Sequence, residues 1–138
     1  MGFRVSETPP ATARSRIYPT GKDCIYSAGM EVSFRSRRLR KLCEQRNAAE
    51  RTLGRAGARK LIARLEDLQA AACVADLSAG RPHPLSGDRR GQFALDLSGG
   101  LRLVFVPDQP QADYLTEGAI DWSMVRAVRI EFIGDYHG

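Results

Sequence analysis

The chain has 138 residues, of which 43% are hydrophobic and 27% charged, and its formal net charge is +5. This composition is typical of one globular domain, and no run approaches the roughly 18 apolar residues that a membrane-spanning helix needs. Cys24, Cys43 and Cys73 are odd in number and widely spaced, which argues against a disulfide framework or a zinc knuckle and favours reduced thiols in the cytoplasm.

The first 29 residues are predicted to form a flexible extension. They contain Pro9, Pro10 and Pro19 and many Ser and Thr residues, and they lack the continuous apolar segment of a secretory signal. Met30 stands where this composition changes, so an alternative is that the true start is Met30. We therefore expect one domain over residues 30–138.

A short strand and a helix are predicted to open this domain. The strand is "EVSF", and Ser36 follows it as a candidate N-cap. The helix should end near Asn47, with three apolar residues on one face: Leu39, Leu42 and Cys43. Gly54 and Gly57 are then expected to break the chain.

A second helix is predicted from about Ala58 to Ala72. Its apolar residues recur at helical spacing and should pack on a sheet as core rather than carry chemistry. They are Leu61, Ile62, Leu65, Leu68 and Ala72.

The two helices carry most of the positive charge. Between Arg35 and Arg64 there are 11 basic residues and only two acidic ones, Glu44 and Glu50. Arginine predominates, and its planar fork can hold two phosphate oxygens at once. A solvated helix face, a nucleic acid and an acidic protein partner all remain compatible with this block.

Three strands are predicted after the helices. His83 lies between two prolines on a stiffened loop, and "QFALDL" and "LRLVFV" form a hairpin around Ser98-Gly99-Gly100. Arg102 should point to the face opposite the apolar residues of this hairpin. The last strand, "MVRAVRIEFI", should place Val128, Ile130 and Phe132 on one side. The element order predicts an α+β fold with both helices on one face of a small, mainly antiparallel sheet of four strands.

The chain ends on "GDYHG", which places Asp135, Tyr136 and His137 directly after this strand. Terminal residues are usually poorly ordered unless they dock, so a carboxylate, a phenol and an imidazole together indicate either a site or a plain tail. Only two histidines occur in the chain, His83 and His137.

Several segments together resemble the RelE/HigB-like toxins of bacterial type II toxin and antitoxin systems, closest to the HigB, or plasmid maintenance killer protein, type. The segments are "EVSFRSRRLRKLC", "RKLIARLEDLQAA", "HPLSGDRRGQFALDL", "LRLVF" and "IDWSMVRAVRIEFIGDYH". The resemblance covers nearly all of residues 30–138, and it depends most on the pairing of the His83 segment with the terminal Asp-Tyr-His.

The resemblance implies a RelE-like fold and a ribosome-dependent mRNA endonuclease, or mRNA interferase, that inhibits translation without a metal or other cofactor. It implies that Arg102 contacts the phosphate, although Leu101 stands before it where relatives have an aromatic residue. The family's motif carries the other catalytic roles to His83, Asp135, Tyr136 and His137. RNA-binding roles are expected for Arg81, Arg89, Arg90, Arg37, Arg38 and Arg40.

The implied partners are a cognate HigA-like helix-turn-helix antitoxin and mRNA on the ribosome, with contacts to ribosomal RNA and none to a membrane. The candidate catalytic residues also have simpler interpretations. His83 could be a solvated loop histidine, Tyr136 and His137 could only dock the tail, and Arg102 could form a cross-strand ion pair with Glu131. A metal site built from the histidines, Asp88, Asp135 and a cysteine is less favoured, because no closely spaced ligand cluster appears. The alternative function is a catalytically degenerate protein that only binds antitoxin or RNA.

Overall fold

The structure, a computed structural model, describes residues 29–135. Two helices, five strands of a main sheet and a two-stranded hairpin follow one another, with short 3₁₀ turns between them. In chain order they are β1 (Glu31–Phe34), α1 (Arg37–Glu44), α2 (Arg46–Ala70), β2 (His83–Pro84), β3 (Phe93–Asp96), β4 (Arg102–Pro107), β5 (Leu115–Thr116), β6 (Ala119–Ile120) and β7 (Ala127–Gly134).

Helix α1 begins as predicted. The Ser36 hydroxyl accepts a hydrogen bond of 3.2 Å from the backbone N–H of Leu39, one of the donors that the first turn leaves without a helical partner. The predicted end near Asn47 is wrong, because Gln45 has an extended backbone (φ −121°, ψ 112°) and stops α1 at Glu44.

Helix α2 is longer than the predicted helix. Of the two glycines predicted to break the chain, only Gly54 interrupts the helical backbone. The helix starts at Arg46 and kinks at Gly54 (φ 82°, ψ 169°). Gly57, in contrast, stays helical and buried. A Cβ atom there would lie 2.8 Å from Leu53 Cβ and 2.9 Å from Leu101 Cδ1. Gly57 therefore allows α2 to pack tightly against the β3–β4 hairpin.

The main sheet is mixed and has the strand order β1-β7-β4-β3-β2. Strand β1 pairs with β7 in parallel, and the other neighbours are antiparallel. The α+β class is confirmed, but the predicted count of four strands is wrong, because His83 and Pro84 pair with β3 as a fifth strand at the edge. The short hairpin β5–β6 was also absent from the prediction.

A β-bulge interrupts the pairing of β7 with β4. Val104 pairs with Phe132, whereas Phe105 pairs with Ile130, so Glu131 is an extra residue in β7. An extra residue reverses the side to which all following side chains point. The prediction that Phe132 shares a face with Val128 and Ile130 is therefore wrong: Phe132 lies on the other side of the sheet, and Ile133 takes its place in the core.

Both helices and one face of the sheet contribute to a single apolar core. Its fully buried members include Leu61 and Leu68 of α2 and Leu95, Leu103, Phe105 and Ile130 of the sheet. Met30 is also buried in this cluster. Within residues 29–135, no helix has the length and apolar character needed to cross a membrane.

The side chain of Gln109 ties the loop after β4 to the start of β7. Its Oε1 accepts hydrogen bonds from the backbone N–H groups of Arg126 (2.8 Å) and Ala127 (3.1 Å), and its Nε2 donates to the carbonyl of Met124 (3.0 Å). One amide group thus satisfies three backbone groups near the edge of the core.

Replacement of Gln109 by alanine should lower the free energy of unfolding by about 2–3 kcal/mol, because two partly buried N–H groups lose their acceptor. The check is urea unfolding, with a lower midpoint and an unchanged slope. The exposed Gln111 serves as the matched control. Equal stability of Gln109→Ala and Gln111→Ala would show that solvent replaces the amide at no cost.

Candidate functional site

The strand register brings candidate residues together on the face of the sheet opposite the helices. His83, Ala94, Val104 and Phe132 are directly paired across four strands. Residues paired in this way point to the same side of a sheet, as do residues two apart along a strand. The next row on the same side contains Asp96, Arg102 and Gly134. We call this surface the distal face; it is defined by the residues of these two rows.

His83 is held in one tautomer by its own loop. Its Nδ1 lies 2.7 Å from the carbonyl oxygen of Arg81. Because a carbonyl oxygen can only accept, Nδ1 must carry the proton, which leaves Nε2 as the nitrogen that can accept one. The imidazole is half-buried. His83 therefore has a fixed orientation and one nitrogen suited to proton transfer.

Arg102 is held by a carboxylate on the neighbouring strand. Its Nε lies 3.0 Å from Asp96 Oδ1, and both atoms are shielded from solvent. The alternative pairing of Arg102 with Glu131 is wrong, because Glu131 contacts Arg129 (2.6 Å) and Arg35 (3.4 Å) instead. Arg102 lies on β4, two strands away from His83 on β2, which separates the two strand backbones by about 10 Å across the sheet.

Two further arginines border the distal face. The guanidinium of Arg89 stacks over the Phe132 ring at 5.4 Å from its centroid and donates to Gln92 Oε1 at 3.2 Å. Arg81 is 82% exposed and places Nε 3.5 Å from Asp96 Oδ2. Arg90 is exposed on the same loop as Arg89. The register and these contacts place Arg81, Arg89 and Arg102 around His83 and Asp96.

Asp135 lies at the margin of this group. It follows Gly134, the strand partner of Arg102, and is exposed. A Cβ atom at Gly100 would lie 3.0 Å from Asp135 Oδ2, so the carboxylate rests against the β3–β4 turn. The predicted site residues Tyr136 and His137 lie outside the described residues.

The candidate arginines of α1 belong to a different surface. Arg37 and Arg38 are exposed, and Arg40 Nε contacts Glu44 at 3.1 Å. Helix α1 packs its buried residues into the core, so its exposed side lies across the sheet from the distal face. The structure separates these three arginines from His83 and Arg102.

No metal cluster is found in the part of the chain that the structure describes, and the Cys43 thiol is not activated. No group of three or more His, Cys, Asp or Glu side chains there could hold a metal ion. Burial, with a smaller effect from Glu44, raises the pKa of Cys43 to about 12. That thiol therefore stays protonated at neutral pH and is a poor nucleophile.

Sequence reasoning missed two residues of the distal face. The position of Asp96 could have been predicted from the sequence, because a hairpin turn over residues 98–100 places it opposite Arg102. The position of Phe132 could not have been predicted, because nothing in the alternation of apolar and polar residues marks the bulge at Glu131.

No family model matches the sequence, and a search of curated proteins finds no significant match.

Proposed function

We propose that the chain is the toxin of a type II toxin-antitoxin system, of the RelE/HigB-like kind, and cleaves mRNA on the ribosome. The observation that supports it best is the shared location of His83 and Arg102 on the distal face, with the strand that carries Arg102 paired to the strand that leads into Asp-Tyr-His. These are the positions on which the sequence resemblance depends.

The chemistry of RNA cleavage fits these groups. The 2′-hydroxyl must lose a proton, the leaving 5′-oxygen must gain one, and the phosphorane carries extra negative charge. His83, acting through Nε2, and His137 are proposed as the acid and base. Arg102 is proposed to stabilise the phosphorane. No metal ion is needed for this sequence of steps.

Asp135 and Tyr136 are proposed to support His137 and the substrate. A phenol ring can stack on a base, a contact worth roughly 1–3 kcal/mol in single-strand binders. The exposed carboxylate of Asp135 is suited to orienting an imidazole. Arg81, Arg89 and Arg90 are proposed to hold the RNA backbone, since all three carry guanidinium groups at the border of the distal face.

The exposed arginines of α1 are proposed to dock on ribosomal RNA. Arg37 and Arg38 project from the side of the molecule away from the distal face, so they can contact the ribosome while the distal face contacts mRNA. A HigA-like antitoxin is the proposed partner that keeps the toxin inactive in the cytoplasm.

The decisive experiment is cleavage of mRNA by the purified full chain, with and without translating ribosomes. We expect cleavage with ribosomes and little without them. The variant Arg37→Glu/Arg38→Glu should lose cleavage on ribosomes. Its remaining binding to ribosomes should depend less steeply on salt concentration than that of wild type, because fewer counterions are released on binding. Its matched control is Arg51→Glu/Arg55→Glu on α2.

The second candidate function is binding without cleavage. The contact between Arg102 and Asp96 favours it, because a carboxylate offsets the charge that a phosphate would meet. Retained binding of antitoxin or RNA, with no cleavage under any of the conditions above, would select this alternative. Loss of antitoxin binding in Arg37→Glu/Arg38→Glu, with cleavage on ribosomes intact, would instead assign α1 to the antitoxin.

A further inference from the structure

Asp96 is an unexpected residue at the centre of a site proposed to bind phosphate. Its side chain is only 17% exposed and lies between Arg81 and Arg102. A half-buried carboxylate loses hydration, and it repels an incoming phosphate. Its presence therefore calls for a role other than adding to the affinity for RNA.

One role is evident from its contact with Arg102. The two residues are direct cross-strand partners, and Asp96 Oδ1 approaches Nε of the guanidinium at 3.0 Å, with both atoms shielded from solvent. A contact at Nε restrains rotation of the planar guanidinium about the bond to the aliphatic part of the side chain. Together with a hydrogen bond from Arg102 Nη1 to the carbonyl of Leu101 (3.4 Å), this ion pair restrains the direction in which the guanidinium points.

A second set of contacts links Asp96 to the His83 loop. Its backbone N–H donates to the carbonyl of Gly80 at 2.6 Å, and its Oδ2 lies 3.5 Å from Arg81 Nε. The carbonyl of Arg81 in turn accepts the hydrogen bond from His83 Nδ1. Asp96 is therefore connected to both groups proposed to act on the scissile phosphate.

The backbone between these contacts is held in an unusual conformation. Gly80 and Arg81 are consecutive left-handed residues, with φ of 85° and 50°. The left-handed region is strained for a non-glycine residue such as Arg81, and it persists only where neighbouring contacts impose it. A Cβ atom at Gly80 would lie 2.9 Å from Arg64 Cδ and 3.2 Å from the carbonyl oxygen of Asp96. The loop is thus wedged between α2 and β3.

We propose that Asp96 is a positioning residue that holds Arg102 and the His83 loop in one relative arrangement. This proposal rests on the proposed function for the identity of the ligand, an RNA phosphate. The Asp96 carboxylate opposes phosphate binding but orients the Arg102 guanidinium. Its neutralisation should therefore have opposite effects on RNA binding and on turnover. Binding of RNA should stay equal or tighten, and turnover should fall.

The first test is the steady-state kinetics of Asp96→Asn in the ribosome-dependent cleavage assay. We expect kcat to fall about 10- to 100-fold, since misplacing a reacting group by about 1 Å can cost up to about 100-fold, with KM unchanged or lower. Asp113→Asn, at an exposed position in the turn after β4, is the matched control and should keep wild-type kinetics. The proposal would be overturned if Asp96→Asn kept the wild-type kcat, whether KM stayed the same or rose.

A second variant, Asp96→Glu, separates position from charge. It keeps the carboxylate but moves it by one methylene group. We expect reduced kcat with wild-type affinity for RNA, since the charge remains and the geometry changes. Wild-type kcat in Asp96→Glu would show that the charge alone matters, which contradicts a positioning role.

A readout independent of cleavage distinguishes failure of this proposal from failure of the proposed function. The probe is a single-stranded 2′-O-methyl oligoribonucleotide, which can bind but cannot be cut at the 2′-oxygen. In ¹H–¹⁵N spectra the Arg102 Nε–H signal should exchange slowly with solvent in wild type, shift on addition of the probe, and exchange faster in Asp96→Asn. An unchanged exchange rate in the variant would overturn the positioning role even if wild type cleaves RNA. Absence of cleavage by wild type would overturn only the proposed function.

Discussion

Replacement of His83 by alanine should lower mRNA cleavage by about 10²–10⁴-fold, the usual contribution of one general acid or base, and should relieve growth arrest on expression. The reason is that Nδ1 is committed to the carbonyl of Arg81, so Nε2 alone can exchange protons with the substrate. The measurements are single-turnover cleavage on ribosomes and growth after induction, with circular dichroism to verify the fold.

Asparagine at position 83 is the matched control for the structural role of the imidazole. Its Nδ2 group can replace Nδ1 as a donor to Arg81, but it cannot take up a proton at neutral pH. We expect His83→Asn to be as inactive as His83→Ala and as stable as wild type. If His83→Asn cleaves normally while His83→Ala does not, the hydrogen bond matters and the proton does not, and His83 is a structural residue.

Replacement of Arg102 by lysine should lower kcat by about 10²–10³-fold, the cost of removing one preorganised donor to a developing negative charge. Lysine keeps the positive charge opposite Asp96, so no unpaired half-buried carboxylate is created, but it lacks the planar fork. RNA binding should therefore change little. Single-turnover rates and binding of the 2′-O-methyl probe measure the two quantities separately.

Arg46 provides the comparison for this substitution. It contacts Glu50 through Nε at 3.3 Å on the surface of α2, so Arg46→Lys removes the same kind of contact far from the distal-face rows. We expect wild-type cleavage from Arg46→Lys. A rate for Arg102→Lys within a few-fold of the Arg46→Lys rate would remove Arg102 from the proposed mechanism.

Local sequence signals predicted much of the fold, because each depends on residues close in the chain. Ser36 caps α1 through a residue three positions away, and the alternation of Phe93, Leu95 and Leu103 marks the core face of the β3–β4 hairpin. The α+β class follows from such elements in order. The pairing of Asp96 with Arg102 is equally local, since only a short turn separates the two strands.

The tertiary structure decided what depends on strands far apart in the chain. The parallel pairing of β1 with β7 and the addition of His83–Pro84 as an edge strand beside β3 are not revealed by periodicity. The bulge at Glu131 places Phe132 on the distal face beneath Arg89 and not in the core. The reason is that side chains alternate between the two faces along a strand, so one extra residue switches the face of those that follow. By itself the sequence determined which residue types are available for chemistry. Which of them share a face was decided by register, because register is set by contacts between whole strands and not by neighbours along the chain.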